Sequence, residues 1–339
     1  MSPIPSPRRF LGYADTDDVP NIVVDGSPNH STVLTLTHWP GIAAPPGLEA
    51  DLSAEMAYRY LDDPPEHDPA AVVTNNHFDQ DGLVAVHALV DPEAALGHRE
   101  LLTDTAAAGD FGTYRHRAAA RASMAIWAYG RPELSPIADA LHRLSPAERC
   151  RTLYEATLPL LVPMATEPER FRDLWGDEDD RLTASEKALA DGSVTVEEHL
   201  DVDLALVRIE PQVPPLAGHR FGGDVFEELH PLALHNATGC LRLLLVQGSR
   251  YRFVDRYETW VQYRSRRPLP RIDLQPLAER LSELETGAVT WTATPPSSLA
   301  PTLAATGDSS LAPPVVVHEI TEALRSAAPA WDPYRITAS

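Results

Sequence analysis

The sequence predicts an α/β protein: an N-terminal domain with a mainly parallel sheet and a helical segment, then a smaller α+β C-terminal domain. Two patterns carry this expectation. Between residues 21 and 90, short β-branched runs alternate with stretches of helical period, and the order strand, helix, strand, helix is that of a parallel sheet with crossover helices. Beyond residue 200, paired apolar runs around a glycine read instead as antiparallel strands. A chain of 339 residues, 43% of them hydrophobic, can bury two such cores.

Residues 1–20, rich in Pro and Asp, read as an extended N-terminal segment over the surface. The α/β domain spans 21–175, with strands at NIVVD (21–25), TVLTLTH (32–38) and AAVVTN (70–75). A helix over 51–61 begins at Asp51 or Ser53, either of which can cap a first turn. The next helix opens at residue 81, and from about 92 to 165 the pattern is largely helical. The charged, Gly-containing stretch 176–200 reads as a linker. The α+β domain, 201–339, has strands at 203–210 and 288–294, a hairpin turning near Gly248, and helices at 274–285 and 317–327.

Charge narrows the partners. The chain carries 28 basic and 49 acidic residues, a net of -21, and such a surface repels a long phosphate backbone, whose binding draws on Lys and Arg. No long nucleic acid is expected, while a small phosphorylated substrate fits wherever a few arginines converge. Lys187 is the single lysine, and that bias, with abundant Ala and Pro, matches GC-rich bacterial coding. No run approaches the roughly 20 apolar residues of a membrane span, and the N-terminus lacks the apolar core of a secretory leader. The expectation is a cytoplasmic protein that avoids membranes, with a homodimer compatible. Cys150 and Cys240 are too few for a thiolate site, so a metal must be held by His and carboxylate.

The segment VVTNNHFDQDGLVAVHAL (72–89) concentrates such groups between a strand and a helix. Open α/β sheets place ligand sites at this carboxyl edge. Alternate residues of an extended stretch point the same way, so His77, Asp79 and Asp81 can converge on one centre. Imidazole and carboxylate donors suit Mn²⁺, Mg²⁺, Zn²⁺ or Fe²⁺. The plainer alternative is that Asp81 caps the helix and Asp79 forms a turn. Asn75 and Asn76 are placed to orient water or substrate. His30, His67, His98 and His116 fall in loop or exposed-helix contexts, and His230 and His235 read as structural.

HFDQDGLVA (77–85) resembles the first motif of the DHH phosphoesterase superfamily, His-x-Asp-x-Asp-Gly followed by a small residue. The resemblance implies a metal-dependent hydrolase that binds one or two divalent cations, usually manganese, through His77, Asp79 and Asp81, with Asp79 and Asp81 as catalytic groups. LTDTAAAGDFGTY (102–114) is similar to the family's later small-residue helix, which implies a place for Asp110 at the metal. TLTHWPG (35–41) has the layout of the Asp-His-His strand, so His38 would be a further ligand and catalytic group, with Thr37 and Trp39 in the other two places. NIVVDG resembles the strand ending in a bridging Asp, here Asp25. YRSRRPLPRID (263–273) is similar to the family's substrate-gripping segment, implying phosphate contacts from Arg264, Ser265 and Arg266 beside Arg267.

The order of these pieces departs from the family, whose His-Asp-Asp motif comes first, so a diverged or permuted relative is expected. Loop length speaks separately. Strand 32–38, helix 51–61 and strand 70–75 form a β-α-β unit that brings His38 and His77 to one sheet edge. Six residues between Asp25 and the second strand suit an antiparallel hairpin, which would send Asp25 to the opposite edge. The leading functional expectation is a metal-dependent phosphoesterase acting on a small nucleotide, short oligonucleotide or other phosphate ester. The alternatives are a metalloenzyme with a non-phosphoryl substrate, or an inactive nucleotide- or partner-binding module.

Overall fold

The computed structural model describes residues 6–64, 70–216 and 229–336, so His67 lies outside the described residues. The chain divides into two compact units at Asp180 and Arg181. The first opens with β1 (Arg9–Phe10), β2 (Asn21–Val24), β3 (Thr32–Leu36), α1 (Ser53–Asp62), β4 (Val72–Thr74) and α2 (Gln80–Val90). It continues with helices α3 (Pro92–Gly97), α4 (Arg99–Asp110), α5 (Arg117–Tyr129), α6 (Ala138–Leu141), α7 (Pro146–Thr157) and α8 (Leu161–Thr166), and α9 (Arg172–Ala190) crosses the division. The fold class is α/β as the alternation requires.

The first sheet has four strands in the order β1-β4-β2-β3, every pair parallel. Its central strands are apolar on both faces: Ile22, Val23, Val24 and Val73 are wholly buried, as a sheet covered on both sides demands. Helix α1 packs on α2, α2 on α4, and α4 on α5. Small residues permit this, since Ala54, Ala57, Ala85, Ala88, Ala106 and Ala108 are all fully buried.

The hairpin expected between the first two long strands is corrected. β2 and β3 run parallel, pairing Ile22 with Leu34 and Val24 with Leu36. The return path explains how so short a link suffices. A strand of four residues is about 13 Å long, and six extended residues span about 20 Å, so the chain doubles back without a helix. The reversal begins at Asp25, whose φ of 46° lies in the left-handed region, where Asp is among the better tolerated residues.

Residues 1–20 are not merely surface chain: β1 pairs with β4, and the buried Arg8 donates to Tyr60 Oη at 2.8 Å. The proposed linker, 176–200, is also corrected. It continues α9 and enters β5 (Val194–His199). On α9, Asp179 accepts hydrogen bonds from Arg117 and Arg121, and the Arg121 guanidinium lies 4.2 Å from the buried Trp175 ring.

The second unit holds β5, β6 (Leu204–Ile209), α10 (Pro231–Asn236), β7 (Arg242–Gln247), β8 (Arg250–Asp255), β9 (Arg271–Ile272), α11 (Gln275–Leu284), β10 (Trp291–Ala293), β11 (Thr302–Ala305), α12 (Pro313–Ser326) and β12 (Pro329–Trp331). Its main sheet runs β10-β11-β8-β7-β6-β5, mixed because β6 and β7 are parallel. Period-two alternation sends Leu204, Leu206, Leu244 and Phe253 to one core with α11 and α12, and Ala205, Val207, Leu243 and Leu245 to a second on the other face.

Candidate metal centre

Parallel pairing puts the carboxyl ends of β2, β3 and β4 at one edge, and each carries candidate residues just beyond its last paired residue: Asp25, His38, and Asn75 to Asp81. The Asp25 carboxylate lies at the middle. Its Oδ1 is 3.5 Å from His38 Nε2 and accepts the Ser53 hydroxyl at 2.8 Å, while its Oδ2 is 3.3 Å from His77 Nε2. His77 Nε2 also meets Asp79 Oδ2 at 2.7 Å, and His38 Nε2 lies 3.5 Å from Asp110 Oδ2. Two sets of mutually close ligand atoms result, Asp25 with His38 and Asp81, and Asp25 with His77 and Asp79.

Secondary structure fixes each carboxylate from behind. Asp79 is the N-cap of α2, with Oδ1 accepting from Gly82 N–H at 2.8 Å and Oδ2 turned to His77 Nε2. Asp81 does not cap its own helix. Its two oxygens accept from the backbone of Ser53 and Ala54 at 2.8 and 2.9 Å, so it caps α1 from across the sheet edge, where the helix dipole favours a negative charge. The expected cap at Asp51 or Ser53 is therefore replaced. Leu52 holds the N-cap position, and Glu55 bonds back to the amides of Asp51 and Leu52.

The orientation of His38 follows from its partner. Its Nδ1 faces the Asp51 carbonyl at 2.5 Å, and a carbonyl only accepts, so Nδ1 carries a proton and Nε2 is the nitrogen turned to the Asp25 and Asp110 carboxylates. His38 and Asp25 are each 1% exposed, and burying polar and charged groups this closely costs free energy unless they are compensated. Ligands of a cation held at about 2.1 Å are about 3 Å apart when adjacent, close to the spacings here. Asp25 Oδ2 and Asp110 Oδ2 are buried and accept no hydrogen bond from the described residues. The donor set thus fits divalent cations without thiolate.

Electrostatics point the same way. Burial raises the Asp81 carboxyl well above its ordinary range, with the Asp25 and Asp79 charges adding to it. Asp110 is raised similarly by burial and by Asp81, Asp79 and Asp25. It ends α4, at the negative pole of that helix. Burial also pushes Asp25 up, but the adjacent His77, then His38 and Ser53, hold it below the usual carboxylate value. Burial opposes the charge on His77, yet Asp79 and Asp25 push its pKa up to about 12.

The two ligand sets differ in access. His38, Asp25 and Asp81 are almost fully enclosed, whereas the His77 and Asp79 side chains are 32% and 31% exposed. Trp39, in one of the places where the DHH pattern has a ligand, instead puts its ring 5.2 Å from the His77 ring.

Asn75 is buried, and its Oδ1 accepts from the His77 amide at 3.0 Å, so it shapes the turn; Asn76 is exposed. The arginine segment belongs to the second unit and has partners there. Arg264 donates to Gln262 at 2.8 Å, Arg266 pairs with Asp203 at 2.9 Å, and Arg267 pairs with Asp332 at 3.1 Å, while Ser265 is exposed. Sequence reasoning missed the Ser53 hydroxyl on Asp25 and the α1 amides on Asp81, which no local pattern announces. It also missed Tyr154, a buried residue of α7 whose hydroxyl is raised well above its ordinary pKa by burial and by the nearby Asp79 charge.

Among the described residues no helix is long and apolar enough to cross a membrane. Neither the curated proteins nor the solved structures contain a match to the chain. Residues 6–335 match a family profile described as a family of unknown function, DUF6687. Since that match spans nearly the whole sequence, the chain is a member of the DUF6687 family.

Proposed function

We propose that this protein is a metal-dependent phosphoesterase acting on a small phosphate ester, with its centre at the carboxyl edge of the first sheet. The observation that carries the reading is the division of one carboxylate between two ligand sets: Asp25 Oδ1 faces His38 and Asp25 Oδ2 faces His77. A carboxylate so placed suits a pair of cations. When bound, such ions supply Lewis acidity toward phosphoryl oxygens and lower the pKa of water toward about 7, and manganese is the first candidate.

The chain's own residues then have distinct tasks. His38, locked by the Asp51 carbonyl, keeps its Nε2 turned inward. Asp81 and Asp25 close the inner position to solvent, and the partly exposed His77 and Asp79 leave the outer one open to a phosphoryl group. The acidic surface favours small substrates over long polyanions.

The test begins with the purified protein, loaded with Mn²⁺ and freed of excess. About two equivalents per chain, with hydrolysis of a simple aryl phosphate ester or diester, is the expected result. Asp25→Asn should lose both equivalents, and Asp79→Asn one. A single equivalent without phosphatase activity would favour a repurposed metalloenzyme, and no bound metal a binding module.

A further inference from the structure

Helix α7 lies outside every motif that points to the metal centre, yet it sends one polar atom to it. The Tyr154 ring is buried between Phe10, at 4.8 Å between centroids, and Phe78, met edge-on at 5.3 Å. Its hydroxyl is buried and has no hydrogen-bond partner among the described residues. The Asn75 Nδ2 atom, on the turn after β4, is likewise buried without a partner among them. Both are donors, and native proteins rarely leave buried donors unsatisfied.

The two atoms converge on one place. A methyl group on Gly82 would lie 2.3 Å from Asn75 Nδ2, 2.7 Å from Tyr154 Oη and 3.0 Å from Asp79 Oδ1. Only glycine fits there, and the three atoms surround one point. Of the three groups, the Asp79 oxygen is the acceptor, already holding the Gly82 amide and having lone-pair capacity to spare. Its other oxygen faces His77.

We propose that Tyr154 and Asn75 are positioning residues that donate to Asp79 Oδ1 through one buried water and hold Asp79 Oδ2 toward the outer cation. This rests on the metal-centre reading above. A ligating carboxylate is commonly oriented through the oxygen that faces away from the ion, and losing such a partner costs roughly 10- to 100-fold in metal affinity. The inner ligand set, Asp25, His38 and Asp81, does not include Asp79 and should not respond.

The experiment is Mn²⁺ titration by calorimetry of the full chain carrying Tyr154→Phe, which keeps the ring and removes only the hydroxyl. One equivalent should weaken about 10- to 100-fold and the other stay unchanged, while the urea midpoint of the metal-free protein is preserved. Asn75→Asp supplies a second arm whose sign discriminates. It retains the acceptor for the His77 amide and removes the amide donor, so positioning predicts weaker binding, whereas added negative charge alone predicts tighter binding. Wild-type affinity at both positions in Tyr154→Phe, equal weakening of both, or tighter binding in Asn75→Asp would overturn the proposal. Absence of metal from the unsubstituted protein would instead remove the reading on which it rests.

Discussion

Asp110 is the residue in the most adverse surroundings. It is buried at the carboxyl end of α4, among the charges of Asp81, Asp79 and Asp25, and its Oδ2 accepts no hydrogen bond from the described residues. Such placement costs stability in the metal-free protein, and groups of this kind persist where function requires them. Asp110→Asn should therefore raise the metal-free stability by about 1–2 kcal/mol, measured by urea unfolding, while weakening Mn²⁺ binding. A lower midpoint would show that the carboxylate is structural. At this scale the sequence was informative where chemistry is local. His77 and Asp79 alternate in the chain and share one ligand set with Asp25, whereas Asp81, which alternation puts beside them, falls in the other set with His38. Asp25 was misplaced by a loop-length rule, because the link after it returns in extended form instead of turning into a hairpin. Tyr154 was illegible, since only the packing of a distant helix brings its hydroxyl beside Gly82.

Among the elements, α1 depends most on long-range help. The first turn of a helix leaves amides without internal partners, and Leu52 at the N-cap has no oxygen to offer. Asp81 supplies both oxygens from α2. Replacing it removes two acceptors from buried donors, so Asp81→Ala should destabilise the first unit by about 1–3 kcal/mol. Asp81→Asn, which keeps one oxygen, should cost less. Equal loss in both variants, read from urea midpoints, would mean that charge and not capping sets the effect. The same dependence explains why the helix start was misread: Asp51 and Ser53 are the residues that usually cap, but the Asp51 carbonyl is committed to His38 and the Ser53 hydroxyl to Asp25. The stretch taken as a linker misled for a related reason. DEDD and Gly176 look like solvated chain, yet Trp175, Asp179 and Leu182 on one face of α9 are buried, and Arg117 and Arg121, which hold Asp179, lie far away in sequence.

Across the whole molecule, the proposed cation and protons should act on different units. A cation that binds the native first unit stabilises it in proportion to its concentration over its dissociation constant. The second unit responds to protons through Glu285, which follows α11. Burial opposes its ionisation, but hydrogen bonds from Ser309, Ser310 and Trp291 prevail and bring its pKa down to about 2 from 4.5. Trp291 Nε1 donates to Oε1 at 2.9 Å, and Ser310 donates to Oε2 through its amide at 2.8 Å and its hydroxyl at 2.6 Å. One carboxylate thereby ties the end of α11 to β10 and to the approach of α12. A folded pKa below the unfolded one contributes stability that is complete above about 4.5 and lost as pH falls toward about 2. Hydrogen exchange read by mass spectrometry should show this in two steps. Mn²⁺ at neutral pH should slow exchange in the amides of α1, α2 and β4 and leave those of α11, β10 and α12 unchanged. Lowering the pH through that window should accelerate exchange around 285–291 and 309–316, after correction for the intrinsic pH dependence, and Glu285→Gln should remove that acid response while showing the faster exchange already at neutral pH. An acid response of equal size in the Gln variant would assign it to other carboxylates of the second unit.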